Sequence, residues 1–265
     1  MYRSIKKSTI ILVILLGLFF VPKSYAHFLW LNVDDYTPNP GQQISITLGW
    51  GHKFPETPNP PREEMIKKLN LFLINPNGNK TKLKISVKDG KPQPVKVKLL
   101  KKGVYFIVLT GKYFVSKTTE GYFLKAKDEL KDKEVIYSKW SETTAIALIS
   151  VGKQKEISIS SIPGSNFYII PLVNPSILKK GDIFQVKVLF KDKPCRTWVY
   201  ANYAGFSKFK DTYAWTTRTD IKGVANIGIL KKGVPWLIRS DLEKDYPNHH
   251  KADMANYKCT ITFGF

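Results

Sequence analysis

Cysteine is nearly missing from this chain of 265 residues: there are two. That excludes a disulfide-dense scaffold and a cysteine-rich zinc module. Acidic side chains are scarce as well, 21 against 42 Lys and Arg, for a formal charge of +21. Long apolar runs are confined to Thr9 to Val21, so no later segment is fit to cross a bilayer as a helix. Catalytic signatures are absent too: no Gly-x-Ser-x-Gly, no His-Glu-x-x-His, no P-loop and no dinucleotide fingerprint. The few carboxylates stand mostly beside lysines, and no acid–base pair emerges from them. These absences point away from an enzyme. What is present is a globular composition, 43% hydrophobic and 13% aromatic, with too many rings for a disordered chain.

The first 26 residues read as a secretory signal peptide. Arg3, Lys6 and Lys7 form a basic start, the apolar run follows, and Ser24-Tyr25-Ala26 puts small residues at the −3 and −1 positions of a cleavage site. The run is shorter than the ~20 residues of a membrane span, which argues against a permanent anchor. Processing after Ala26 would remove four cations and no acids, taking the charge from +21 to +17. It would also make His27 the N-terminal residue of a periplasmic or extracellular protein.

From Leu29 onward the pattern has period 2. Ile44, Ile46, Leu48 and Trp50 alternate with Ser45, Thr47 and Gly49; Val95, Val97 and Leu99 alternate with Lys96 and Lys98. Such alternation marks antiparallel strands buried on one face. Turn signals at Asn75-Pro76-Asn77-Gly78, Asp89-Gly90, Lys180-Gly181-Asp182 and Asp220 to Gly223 divide the chain into many short strands. Only 62–68 and 126–134 look locally helical. The fold class is therefore all-β, with two antiparallel β-sandwich domains expected at 27–152 and 157–265 on either side of a polar joint.

A terminal histidine is an unusual ligand, because its free amine and ring Nδ1 can grip one metal ion from a single residue. A second imidazole then completes a three-nitrogen histidine brace, a donor set suited to Cu(II) or Ni(II). His52 is the candidate partner. If strands 28–33 and 43–50 form a hairpin about Pro38-Asn39-Pro40-Gly41, a register in which paired numbers sum to 79 sets Leu29 opposite Trp50, Leu31 opposite Leu48 and Val33 opposite Ile46. Every pair is apolar, as a buried face requires. The same register sets His27 opposite His52, with Cβ atoms ~5 Å apart. A slip of one residue would destroy the apolar face, though a slip of two would not. Amine and imidazole must both be unprotonated to bind, so affinity should fall below about pH 6.5. The plainer alternative is that His52 only ends a strand.

His249 and His250, in Asp245-Tyr246-Pro247-Asn248-His249-His250-Lys251-Ala252-Asp253-Met254, are weaker candidates. Adjacent histidines on a polar loop rarely aim at one ion. The positive charge invites an anionic surface polymer, yet the lysines are spread over strand faces and form no nucleic-acid motif. It also opposes capture of a cation, so nearby carboxylates such as Asp34, Asp35 or Glu56 would have to compensate. Cys195 and Cys259 lie in one expected domain, and either a disulfide or two free thiols fits their spacing.

At these residues the chain resembles a known family. Ala26-His27-Phe28-Leu29-Trp30-Leu31, Tyr36-Thr37-Pro38-Asn39-Pro40-Gly41-Gln42 and Gly49-Trp50-Gly51-His52-Lys53-Phe54-Pro55 are similar to a periplasmic family of unknown function associated with nickel or cobalt uptake. The resemblance extends through Ser141 to Gly152, Pro171 to Pro175 and Gly181-Asp182 through Lys193-Pro194. Thr219 to Ala225 and Pro235-Trp236-Leu237-Ile238 look like its immunoglobulin-like half. It implies a secreted metal-binding protein serving a nickel or cobalt transporter, with His27 and His52 at the matching positions; the nitrogen donor set adds copper as an alternative cargo. The alternative function is a structural or adhesive cell-surface protein that binds anionic polymer or another protein.

Overall fold

The computed structural model describes residues 27–152, 154, 157 and 159–265. The segment read as a signal peptide lies outside them. Eighteen strands run in chain order as β1 (Phe28–Val33), β2 (Gln43–Gly51), β3 (Leu69–Ile74), β4 (Lys80–Leu83), β5 (Val87–Lys88), β6 (Lys91–Pro92), β7 (Val95–Lys98), β8 (Gly103–Thr118), β9 (Gly121–Phe123), β10 (Val135–Val151), β11 (Phe167–Pro171), β12 (Ile183–Phe190), β13 (Lys193–Pro194), β14 (Trp198–Tyr203), β15 (Trp215–Arg218), β16 (Val224–Gly228), β17 (Trp236–Asp245) and β18 (Met254–Phe263). Among the described residues, helix is confined to α1 (Glu63–Ile66) and two 3-10 turns at Lys127–Glu129 and Pro175–Ile177. The molecule is all-β, built as β-sandwiches. Both segments expected to be helical contain a turn of helix, shorter than the sequence suggested.

The strands stack in three layers. The middle sheet runs β15-β14-β17-β18-β10-β8-β3-β4, with β9 added beside β8. One outer sheet is β1-β2-β7; the other is formed by β11, β12, β13 and β16. The reason lies in the two longest strands. In β8, Val104, Phe106 and Val108 enter one core while Tyr105, Ile107 and Leu109 enter the other. In β10, Ile146 and Leu148 face the first core, and Ala145, Ala147 and Ile149 the second. A strand apolar on both faces must be covered on both faces, so each side of the middle sheet carries an outer sheet.

One core draws on both sides of the joint expected at 152–157, with Ile74, Phe106 and Ile146 beside Phe167, Phe184 and Phe263, and the hydrogen bonding also runs across it. β10, from the first segment, pairs in parallel with β18, from the second, from Lys139↔Met254 to Ala147↔Thr262. The other pairings in the middle sheet are antiparallel. Sequence alternation fixes which face of a strand is buried but says little about which remote strand lies beside it.

β1 is tied to this sheet by side chains. The Thr260 hydroxyl donates to Leu29 O at 2.8 Å, and the Thr262 hydroxyl to Leu31 O at 2.7 Å. These two threonines are buried, so their hydroxyls need partners, and the β1 carbonyls supply them. At Asp220 the turn is set by one carboxylate oxygen that accepts from the N–H groups of Lys222 and Val224. Gly223 follows with φ +75°, and a Cβ there would meet Val188 O at 2.6 Å. Cys195 and Cys259 are both free thiols, both buried. Burial raises both, Cys259 to about 12. They are inert core residues, not a disulfide. No helix of the described residues is long and apolar enough to cross a membrane.

Candidate metal site at the end of the first hairpin

β1 and β2 pair in the register read from the sequence: Leu29↔Trp50, Leu31↔Leu48 and Val33↔Ile46, ending at Phe28↔Gly51. One further step brings His27 to His52. Their ring centroids are 4.4 Å apart, tilted by 47°. The His27 ring also stacks on Trp50, at 5.2 Å with 3° between planes. Trp30 lines one cleft with His52. Trp30 faces Gly49 across the hairpin, and its indole lies where a side chain at 49 would be: a Cβ added there would come within 1.9 Å of Trp30 Nε1. The indole N–H is held by Asn32 Oδ1 at 3.1 Å.

The second half of the chain closes the site. Asp211, on the segment between β14 and β15, places its carboxylate 3.2 Å from His52 Nδ1. Its backbone N–H donates to His52 O at 3.2 Å. The Tyr213 hydroxyl donates to Asp211 Oδ1 at 3.3 Å, and the Arg239 guanidinium stands 3.7 Å from the same oxygen. Arg239 is itself caged by rings, 3.8 Å from the Phe28 centroid, 4.6 Å from Tyr213 and 5.1 Å from Tyr200. A cleft next to His52 is lined by these rings together with Trp30 and Phe54.

Cations crowd the other side. Lys258 Nζ donates to His27 O at 3.2 Å and lies 5.2 Å over the Phe28 ring. Burial pushes this ammonium down to about 8, with Asp241 pulling the other way. The His27 imidazole is held below its ordinary value, by burial first and then by the charges of His52, Lys258 and Lys210, against a smaller opposite pull from Asp211. A ring that stays neutral keeps a lone pair free for a metal.

The remaining sequence candidates lie elsewhere. His249 and His250 sit exposed in the turn between β17 and β18, where the His250 N–H donates to Asn248 Oδ1 at 3.1 Å. β18 begins at Met254, four residues of strand before Lys258. That separates the turn from His27 by roughly 13 Å of strand. Asp34 and Asp35 belong to the opposite end of the hairpin, accepting from Ser45 N–H and Thr37 N–H. Glu56 pairs with Lys53 at 2.7 Å. The carboxylate that meets a histidine is Asp211, 159 residues from His52. Its one sequence signal is isolation, since no other acid occurs between Asp192 and Asp220. Among the described residues no three His, Cys, Asp or Glu side chains cluster in a way that could hold a metal ion.

Residues 24–243 match the family defined by a domain of unknown function, DUF4198. The chain belongs to this family. No curated protein matches it. Among solved structures it is similar to a DUF4785 family protein from Legionella pneumophila, at 10% identity and TM-score 0.30, over 90% of this chain and 56% of that one. It is also similar to the BSP domain of a biofilm-associated protein, at 11% identity and TM-score 0.21, over 89% of this chain and 30% of that one. A third similar structure is murine CEACAM1b, at 9% identity and TM-score 0.21, over 89% and 98% of the two chains.

Proposed function

We propose that this DUF4198 chain, once processed after Ala26, binds a divalent transition metal through the amine and ring of His27 and the ring of His52. The ion is nickel, cobalt or copper, and the protein buffers it outside the cytoplasm or passes it to a membrane transporter. The observation that carries this is the approach of the two imidazoles to 4.4 Å at the open end of the hairpin. Two rings and one terminal amine give the three nitrogens that such ions favour. The metal is cargo, and no bond is made or broken. Arg239, Lys258 and Lys210 disfavour a bare cation nearby, and the Asp211 carboxylate partly offsets them.

Calorimetric titration with Ni(II), Cu(II) and Co(II) tests this on two proteins, one beginning at His27 and one with a glycine before it. The first should bind one equivalent tightly. In the second the terminal amine is moved away from the ring that must share its ion, and affinity should fall at least ~100-fold, which is about 2.7 kcal/mol. Equal binding by both would overturn the proposal. Mass mapping of the secreted protein should find His27 as its first residue.

A further inference from the structure

The His52 ring meets the second half of the chain through Asp211, whose carboxylate faces Nδ1 at 3.2 Å. We infer that Asp211 is the positioning residue of the histidine pair, fixing His52 in the tautomer that offers Nε2 to the metal and making the site depend on both halves of the molecule. This rests on the metal-binding reading and names what sets its affinity.

The chemistry follows from what a carboxylate can do. An ionised aspartate only accepts hydrogen bonds, so the atom facing it must carry a proton. The atom facing Asp211 is His52 Nδ1, 3.2 Å from Oδ2 and 3.4 Å from Oδ1. The proton therefore sits on Nδ1, and Nε2 keeps its lone pair. A carboxylate behind a ligating histidine also stops the ring from rotating. Asp211 can do this because it is itself held at several points. Its N–H reaches back to His52 O, so side chain and backbone grip the same residue. Tyr213 donates to Oδ1 from two residues away, and Arg239, wedged among Phe28, Tyr200 and Tyr213, stands behind that oxygen. Both Arg239 and Asp211 are mostly buried, with side chains 14% and 17% exposed, so solvent does little to loosen the arrangement.

The test uses the full processed chain as wild type, D211A, D211N and H52A. Copper and nickel titrations measure affinity. Nitrogen-15 chemical shifts of the histidine rings at pH 8, without metal, report the tautomer directly. Wild type should show His52 protonated on Nδ1. D211A should shift that ring toward the Nε2-protonated form and weaken binding by about 10–100-fold. D211N keeps the volume with no charge and should weaken it less, while H52A should weaken it most. If D211A folds poorly, D211N carries the same readouts in an isosteric background. A His52 ring unchanged in D211A and D211N, or wild-type affinity in both with H52A impaired, would overturn the role of Asp211 alone. Unimpaired binding by H52A would instead sink the metal site itself.

Discussion

The molecule has two histidine pairs, and they are built in opposite ways. His27 and His52 are 25 positions apart in the chain, yet an antiparallel register sets their rings 4.4 Å apart over Trp50. His249 and His250 are neighbours in sequence, yet both project from an exposed turn. Each pair has an aspartate beside it. Asp211 turns its carboxylate onto a histidine ring. Asp253 turns its carboxylate onto Lys127 Nζ at 2.6 Å and Ser138 N–H at 2.7 Å, so its hydrogen bonds pin the turn. Successive side chains on a turn diverge, whereas facing side chains on paired strands converge. Convergence across a register brings two rings together, and adjacency along the chain does not.

That contrast can be broken most directly by ligand removal. The double substitution H249A/H250A should leave metal affinity unchanged, while H52A should reduce it at least ~100-fold, about 2.7 kcal/mol. Equal losses from the two would erase the distinction. A smaller effect is expected from G49A. Its new methyl falls on the Trp30 indole, which must move, and Trp30 shares its cleft with His52. Overpacking of this kind costs about 1–3 kcal/mol, to be read from urea denaturation. The variant should also bind metal less well, which a comparable loss of stability at the other turn would not cause.

The smallest effect belongs to Asp253. Burial pushes its carboxyl up, but Lys127, the Ser138 N–H and the charge of His249 together outweigh that and hold it below its ordinary value. A folded-state value below the unfolded one means that this stabilisation is complete above the unfolded pKa. It is lost as pH falls through the folded one, so the window lies on the acid side of the ordinary aspartate range. Asp253 is partly exposed, and D253N should cost no more than ~1 kcal/mol at pH 7, with the difference from wild type vanishing in acid. Its metal affinity should not change.

The hairpin was legible because its information is local. Apolar pairs from Leu29 and Trp50 to Val33 and Ile46 rule out a one-residue slip, and the register about the turn at Pro38 to Gly41 carries His27 to His52. The three-layer stack was not legible. Val104 to Leu109 reads as a continuous apolar run, which says that both faces are covered but not by what. The parallel union of β10 with β18 joins residues more than a hundred positions apart. Asp34, Asp35 and Glu56 drew attention because they are near the histidines in the chain, and each is engaged in its own turn or ion pair. Asp211 reaches His52 only because β14 follows β17, which pairs with β18 on the middle sheet, and β1 lies across β18 through Thr260 and Thr262.

By itself, then, the sequence determined the strand faces, the turns and the meeting of two imidazoles, since alternation and turn chemistry act over a few residues. The tertiary structure alone decided which carboxylate backs His52, which cations surround His27 and that two cores share one sheet. Those depend on contacts between remote segments, and no short-range pattern in the chain encodes such partners.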